Sequence, residues 1–173
     1  MKHLKTIGLV LFISLAFASC KSDDDGGDDG NAGNGTLEAQ VDGQNYTSIP
    51  EASRAELNTS SSVQTLAVTG GTLDSENIQM IIIGFEGEGT YQLNLTNIGT
   101  YSYLPDPGNP DPNSVVVYTT VGEGQASNGE VSISSFDGNR VLGTFSFTGY
   151  NLDDTSDTVA VTNGSFNMQV VEQ

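Results

Sequence analysis

The side chains that most often do covalent or acid–base work are scarce in this chain. His3 is the only histidine and Cys20 the only cysteine, and lysine occurs only at positions 2, 5 and 21. Arg54 and Arg140 are the only arginines. Beyond Lys21, therefore, no Ser-His-Asp or Cys-His constellation can assemble. A zinc site of His and Cys ligands and a Schiff-base lysine are excluded with it. No phosphate loop ending in Gly-Lys-Ser or Gly-Lys-Thr occurs. Carboxylate chemistry survives, because the chain has 22 Asp and Glu residues. A carboxyl pair across a cleft would suit glycoside hydrolysis, although no spacing singles out one pair.

Oxygen ligands and aromatic side chains supply two further possibilities. Asp106, Asn109, Asp111 and Asn113 share a loop with Pro105, Pro107, Pro110 and Pro112, and Asp153, Asp154 and Asp157 share another. Hard oxygen donors on a turning loop suit Ca²⁺, the one cofactor the sequence brings to mind, but neither segment has EF-hand spacing. The same residues equally build a hydrated turn. Tyr101 and Tyr103 lie two apart, on one face of a strand, just before the Pro-rich loop, and Tyr118 follows on its far side. They are a candidate binding edge for carbohydrate or peptide. Alternatively, they cap the core with hydroxyls reaching water.

Period two dominates the elements that must hold these residues. Leu37, Ala39 and Val41 alternate with polar residues, Asp42-Gly43 signals a hairpin, and residues 44–48 return. Residues 51–57 fit a short helix or a strand. Residues 63–69 read as a strand, with Gly70-Gly71 and 74–77 as its turn. Residues 78–85, the most apolar stretch, suggest a central strand covered on both faces. Tyr91, Leu93 and Leu95, then 101–104, 115–120, 131–136, 140–148, 159–161 and 166–171 read as strands. Asp137-Gly138 and Asn163-Gly164 are further hairpin signals. Gly-Thr-aromatic recurs at 89, 99 and 143 with irregular spacing, a repeated structural device rather than a solenoid repeat. The expectation is an all-β, antiparallel sandwich or flattened barrel of about nine to eleven short strands, with a closed up-and-down barrel as the alternative.

The N-terminus has a different character. Lys2, His3 and Lys5 precede an apolar run from Ile7 to Phe17, and Ala18 and Ser19 lead into Cys20. Charge, apolar core and small-residue exit make a secretory signal, too short to span a bilayer. After it, residues 21–35 carry no large apolar side chain and read as a flexible Gly-rich tether. The division is then 1–19 signal, 20–35 anchor and acidic tether, and 36–173 one β domain. Without the signal, three positive residues face 22 acidic ones, a net charge of −19. That opposes nucleic-acid binding and charge-driven docking on anionic lipid. It favours solubility, cations or basic partners.

Phe17 to Cys20, Phe-Ala-Ser-Cys, resembles the lipobox of bacterial lipoproteins, with Phe17 in place of the more usual Leu. The resemblance implies that Cys20 is lipidated and opens the mature chain. Lys21, Ser22, Asp23, Asp24 and Asp25 resemble the export signal of Bacteroidota-type surface lipoproteins, which implies an outer-membrane protein facing the cell exterior. Asp157-Thr158-Val159 is similar to the O-glycosylation acceptor of that group. The body, through 129–133, the Gly-Thr-Phe-Ser-Phe strand at 143–147 and Asn-Gly-Ser-Phe at 163–166, resembles an uncharacterised lipoprotein family with no catalytic residues to carry over. The functional expectation is a membrane-anchored, non-catalytic binding, adhesion or accessory module with a protein or glycan partner. The alternative is a carboxylate-dependent hydrolase acting on surface glycans.

Overall fold

The computed structural model describes residues 32–121 and 127–173. Eleven strands account for nearly all of their regular structure: β1 (Thr36–Val41), β2 (Gln44–Thr47), β3 (Ser53–Asn58), β4 (Thr65–Gly71), β5 (Glu76–Ile83), β6 (Gly89–Leu93), β7 (Ile98–Tyr103), β8 (Val116–Thr119), β9 (Gly129–Phe136), β10 (Arg140–Asn151) and β11 (Thr158–Glu172). The helical content of the described residues is two single 3-10 turns, Pro50–Ala52 and Pro112–Ser114. The ambiguous segment after Pro50 thus resolves into a turn followed by strand β3. The segment read as a secretory signal, Cys20 and the acidic run behind it lie outside the described residues.

The pairings form two groups. One holds β2-β1-β11-β10-β9-β6 and the other β3-β4-β5-β7-β8. Two strands join them. The end of β11 runs parallel to β3 through Val170–Glu172, and the end of β10 meets β8 through Tyr150 and Asn151. The result is a sandwich whose long central strands turn its corners, or equally a flattened barrel. The parallel β11–β3 pair and the non-sequential order exclude an up-and-down meander.

A single core lies between the groups, with Leu37, Val161 and Phe166 from the first and Leu66, Ile78, Met80 and Ile82 from the second all fully buried. Each such side chain contributes about 1.5–3 kcal/mol. Strand β5 is central in its group, as its composition suggests, but only one of its faces is covered. Ile78, Met80 and Ile82 point inward, while Ile83 is 44% exposed.

Three glycine positions depart from the turn reading, for steric reasons. Gly70 and Gly71 end strand β4 instead of turning it, and the turn follows at 72–75. A Cβ at Gly70 would lie 2.9 Å from the Leu37 Cβ, so the glycine lets β4 approach β1 across the core. Asn163-Gly164 is no hairpin, because β11 continues through it. Asn163 is left-handed at φ 52°, the β1 register slips there by one residue, and a Cβ on Gly164 would meet the Phe145 ring at 2.5 Å. This is a β-bulge that seats an aromatic ring. Asp42-Gly43 and Asp137-Gly138 do form tight turns. Asp42 and Gly43 both take positive φ, as a type I′ hairpin demands.

The ordered body reaches back beyond Thr36. Ala32 is buried, the Gly35 amide donates to the Asn167 carbonyl at 2.7 Å, and Arg140 donates from its guanidinium to the Asn34 side-chain oxygen at 2.6 Å.

Candidate tyrosine cleft

Strands β1, β2, β5, β7 and β8 bring their ends to one mouth of the sandwich. There, a cleft of about 300 Å³ is lined by Tyr46, Tyr101, Tyr103, Tyr118 and Glu76, with the β1–β2 turn at its rim. Period two sets the arrangement. Tyr101 and Tyr103 share a face of β7, and the β7–β8 register places Tyr118 opposite Tyr101. Their rings step across the floor, with centroids 5.9 Å apart for Tyr101–Tyr103 and 6.2 Å for Tyr101–Tyr118. A second depression, lined by Asp74, Glu76, Tyr103, Pro105 and Pro107, extends the cleft to the start of the Pro-rich loop.

Three of the four hydroxyls are committed within the protein. Tyr101 donates to Glu76 Oε1 at 2.6 Å, Tyr118 donates to Asp157 Oδ2 at 2.8 Å, and Tyr46 donates to the Gly70 carbonyl. Burial, reinforced by the Glu76 carboxylate, pushes the Tyr46 and Tyr101 hydroxyls well above the usual tyrosine value. Burial and the Asp157 carboxylate push Tyr118 up to about 12. All three are thus neutral donors at ordinary pH, and their rings are held in place. The Tyr103 hydroxyl makes no hydrogen bond among the described residues, and its ring is only half-buried. Tyr101 and Tyr118 pack against the core, and their hydroxyls donate to Glu76 and Asp157 at the cleft.

A family model for a domain of unknown function, DUF6252, matches residues 33–169. The chain belongs to the DUF6252 family. No curated protein and no solved structure matches it.

The match includes every residue of the cleft. Tyr46 and Glu76 are the cleft residues that sequence reasoning did not single out. Each is unremarkable locally, Tyr46 on a hairpin return and Glu76 at a strand start. Only the long-range packing of the DUF6252 fold brings them together.

In the acidic loops of the DUF6252 domain, Asp111, Asp154 and Asp157 use their carboxylates in hydrogen bonds within the protein. Asp111 Oδ1 accepts from the Asn113 amide at 2.9 Å, capping the 3-10 turn. Asp154 Oδ1 accepts from the Ser156 hydroxyl at 2.6 Å and its amide at 3.0 Å, and these bonds hold its carboxyl below the usual range. Asp157 serves Tyr118 and Asn151. Asp106 accepts the Asn109 amide through its backbone carbonyl, and Asp153 donates its own amide to the Asn151 side chain. Among the described residues, no three acidic, His or Cys side chains converge as a metal site would require. Thr158 is exposed at the start of β11, beside the cleft residue Val159.

Proposed function

We propose that this chain is a lipoprotein of the outer membrane, anchored through lipid on Cys20, routed to the cell exterior by Lys21 to Asp25, and that its β domain is a non-catalytic binding module. The observation that carries the binding role is the commitment of the Tyr46, Tyr101 and Tyr118 hydroxyls to internal acceptors. It pre-forms an aromatic floor without a ligand, and a pre-formed, partly apolar concavity with few polar groups is what small ligands and peptide side chains select. The anchor rests on the signal pattern and the position of the lone cysteine.

Two measurements test the two halves. Cys20→Ser should abolish incorporation of labelled palmitate and release the protein from the membrane fraction. A membrane-bound, cell-associated variant would refute the anchor. Tyr103→Ala changes the one floor tyrosine with an uncommitted hydroxyl, so it should cut binding on glycan and peptide arrays at least tenfold while the domain stays folded, with only a small fall in melting temperature. Unchanged array binding would refute the cleft. Glycan hydrolysis is the second reading, on the strength of Asp74 and Glu76 sharing one depression of the cleft. It predicts reducing-end release from surface glycans that Glu76→Gln abolishes.

A further inference from the structure

The tyrosine cleft does not end at the sandwich mouth. It continues as a depression of about 250 Å³ between β2 and the β4–β5 turn, lined by Asn45, Thr47, Ile49, Leu73, Asp74 and Glu76. The two walls meet where the Ile49 amide donates to the Gly71 carbonyl at 2.9 Å. One wall of this groove is therefore the outer edge of a strand.

That edge is unpaired among the described residues. The Ser48 amide donates to the Leu37 carbonyl at 2.9 Å, which fixes the hydrogen-bonding parity of the β1–β2 ladder. Tyr46 and Gln44 then direct their backbone groups toward β1, and Asn45 and Thr47 direct theirs outward. No other backbone group among the described residues meets them. Strand β2 has neither a charge nor a proline along it, the usual devices that blunt an edge. The sheet's other terminal strand, β6, is guarded by its own loop, because the Asn97 side-chain amide donates to the Gln92 carbonyl at 3.1 Å.

The walls also carry charge of one sign. Asp42, Asp74 and Glu76 line the cleft and its extensions, and among the described residues no lysine or arginine does. Both arginines are engaged elsewhere, Arg54 with Glu56 and Arg140 with Asn167 and Asn34. Leu73, 81% exposed, offers an apolar contact at the lip.

We infer that the open edge of β2 and the adjoining tyrosine cleft form a docking groove for an extended, basic polypeptide segment. The segment adds to β2 as a further strand, through the outward backbone groups of Asn45 and Thr47. A lysine or arginine at alternate positions then points into the cleft, where the tyrosine faces and Glu76 receive its charge. The chain's own acidic segment and a second copy at −19 both carry the wrong sign for this groove. The inference rests on the cleft being a binding site and adds the class of ligand.

Fluorescence anisotropy on the full chain tests it with three labelled seven-residue peptides. One alternates lysine with valine, one alternates glutamate with valine, and the third is the lysine peptide N-methylated at every second residue. The lysine peptide should bind at least tenfold more tightly than either of the others. Asn45→Pro removes an outward amide without breaking a β1 bond, and it should weaken the lysine peptide at least tenfold with the melting temperature kept. Glu76→Gln should weaken it without weakening the glutamate peptide. Equal binding of the lysine and glutamate peptides, or of the N-methylated peptide, overturns the inference. Array binding to glycans alone, lost in Tyr103→Ala, also overturns it but leaves the cleft standing as a binding site. Failure of every probe, with Tyr103→Ala silent, brings down both.

Discussion

Tyr101 donates its hydroxyl to Glu76 across 2.6 Å, and this bond ties β7 to the first residue of β5 at the mouth of the sandwich. Glu76 lines all three adjoining depressions, so the bond sets the position of the carboxylate they share.

Tyr101→Phe should therefore cost stability while keeping the ring. A hydrogen bond to a charged group contributes about 1.5–3 kcal/mol, and the half-solvated Glu76 recovers part of that from water, leaving a loss of about 1 kcal/mol. For a domain of this size, the melting temperature should fall by roughly 3–5 °C. Glu76→Gln keeps an acceptor and should cost less. Urea denaturation of the two variants checks the order, and a Tyr101→Phe midpoint equal to the parent's would mean the bond contributes nothing.

The same tyrosines set an alkaline limit. Their hydroxyls hold protons more tightly when folded than the ordinary value of 10. Above pH 10 the unfolded chain loses those protons while the folded chain keeps them, so stability falls as pH rises. The contribution should be intact below pH 10 and decline between pH 10 and about 12, where Tyr118 itself ionises. Asp137 and Asp154 act at the opposite end. Backbone amides lower the first carboxyl and Ser156 the second, so their help is present above the usual carboxylate value and lost as pH falls below it. Urea midpoints from pH 2 to 12 should trace a plateau with two falling arms, and Tyr46→Phe with Tyr101→Phe should flatten the alkaline arm.

A methyl group is predicted to be costly at Gly164. Its Cβ would meet three atoms of the Phe145 ring at 2.5–2.6 Å, and overpacking of this kind costs about 1–3 kcal/mol. Gly164→Ala should lower stability by that amount, and Phe145→Leu should recover part of the loss in the double variant. Additive losses in the cycle would show that the ring is not what the methyl strikes.

The strands were legible where one face is buried and the other wet. Leu37, Ala39, Tyr101 and Tyr103 follow that alternation, and the period assigns them to the inner face without further information. Asp42-Gly43 and Asp137-Gly138 were legible as turns because an Asp-Gly pair between strands has few other uses. Gly70 and Asn163-Gly164 look the same on paper but answer to Leu37 and Phe145, residues far away in the chain. No local pattern carries that information. For the same reason, half of the cleft was readable. Tyr101 and Tyr103 announce themselves by spacing, whereas Glu76 reaches them through the β5–β7 register and Tyr46 through packing of β2 across the core.

The short hydrogen bonds at Asn34 and Gly35 give the molecule a direction. The acidic segment enters the fold at the start of β1, and the cleft opens beside Val41 and Asp42 at its finish, about 17 Å further along by strand rise. Whatever precedes Ala32 therefore joins the domain at the opposite end of β1 from the opening, and the cleft stays clear of that junction.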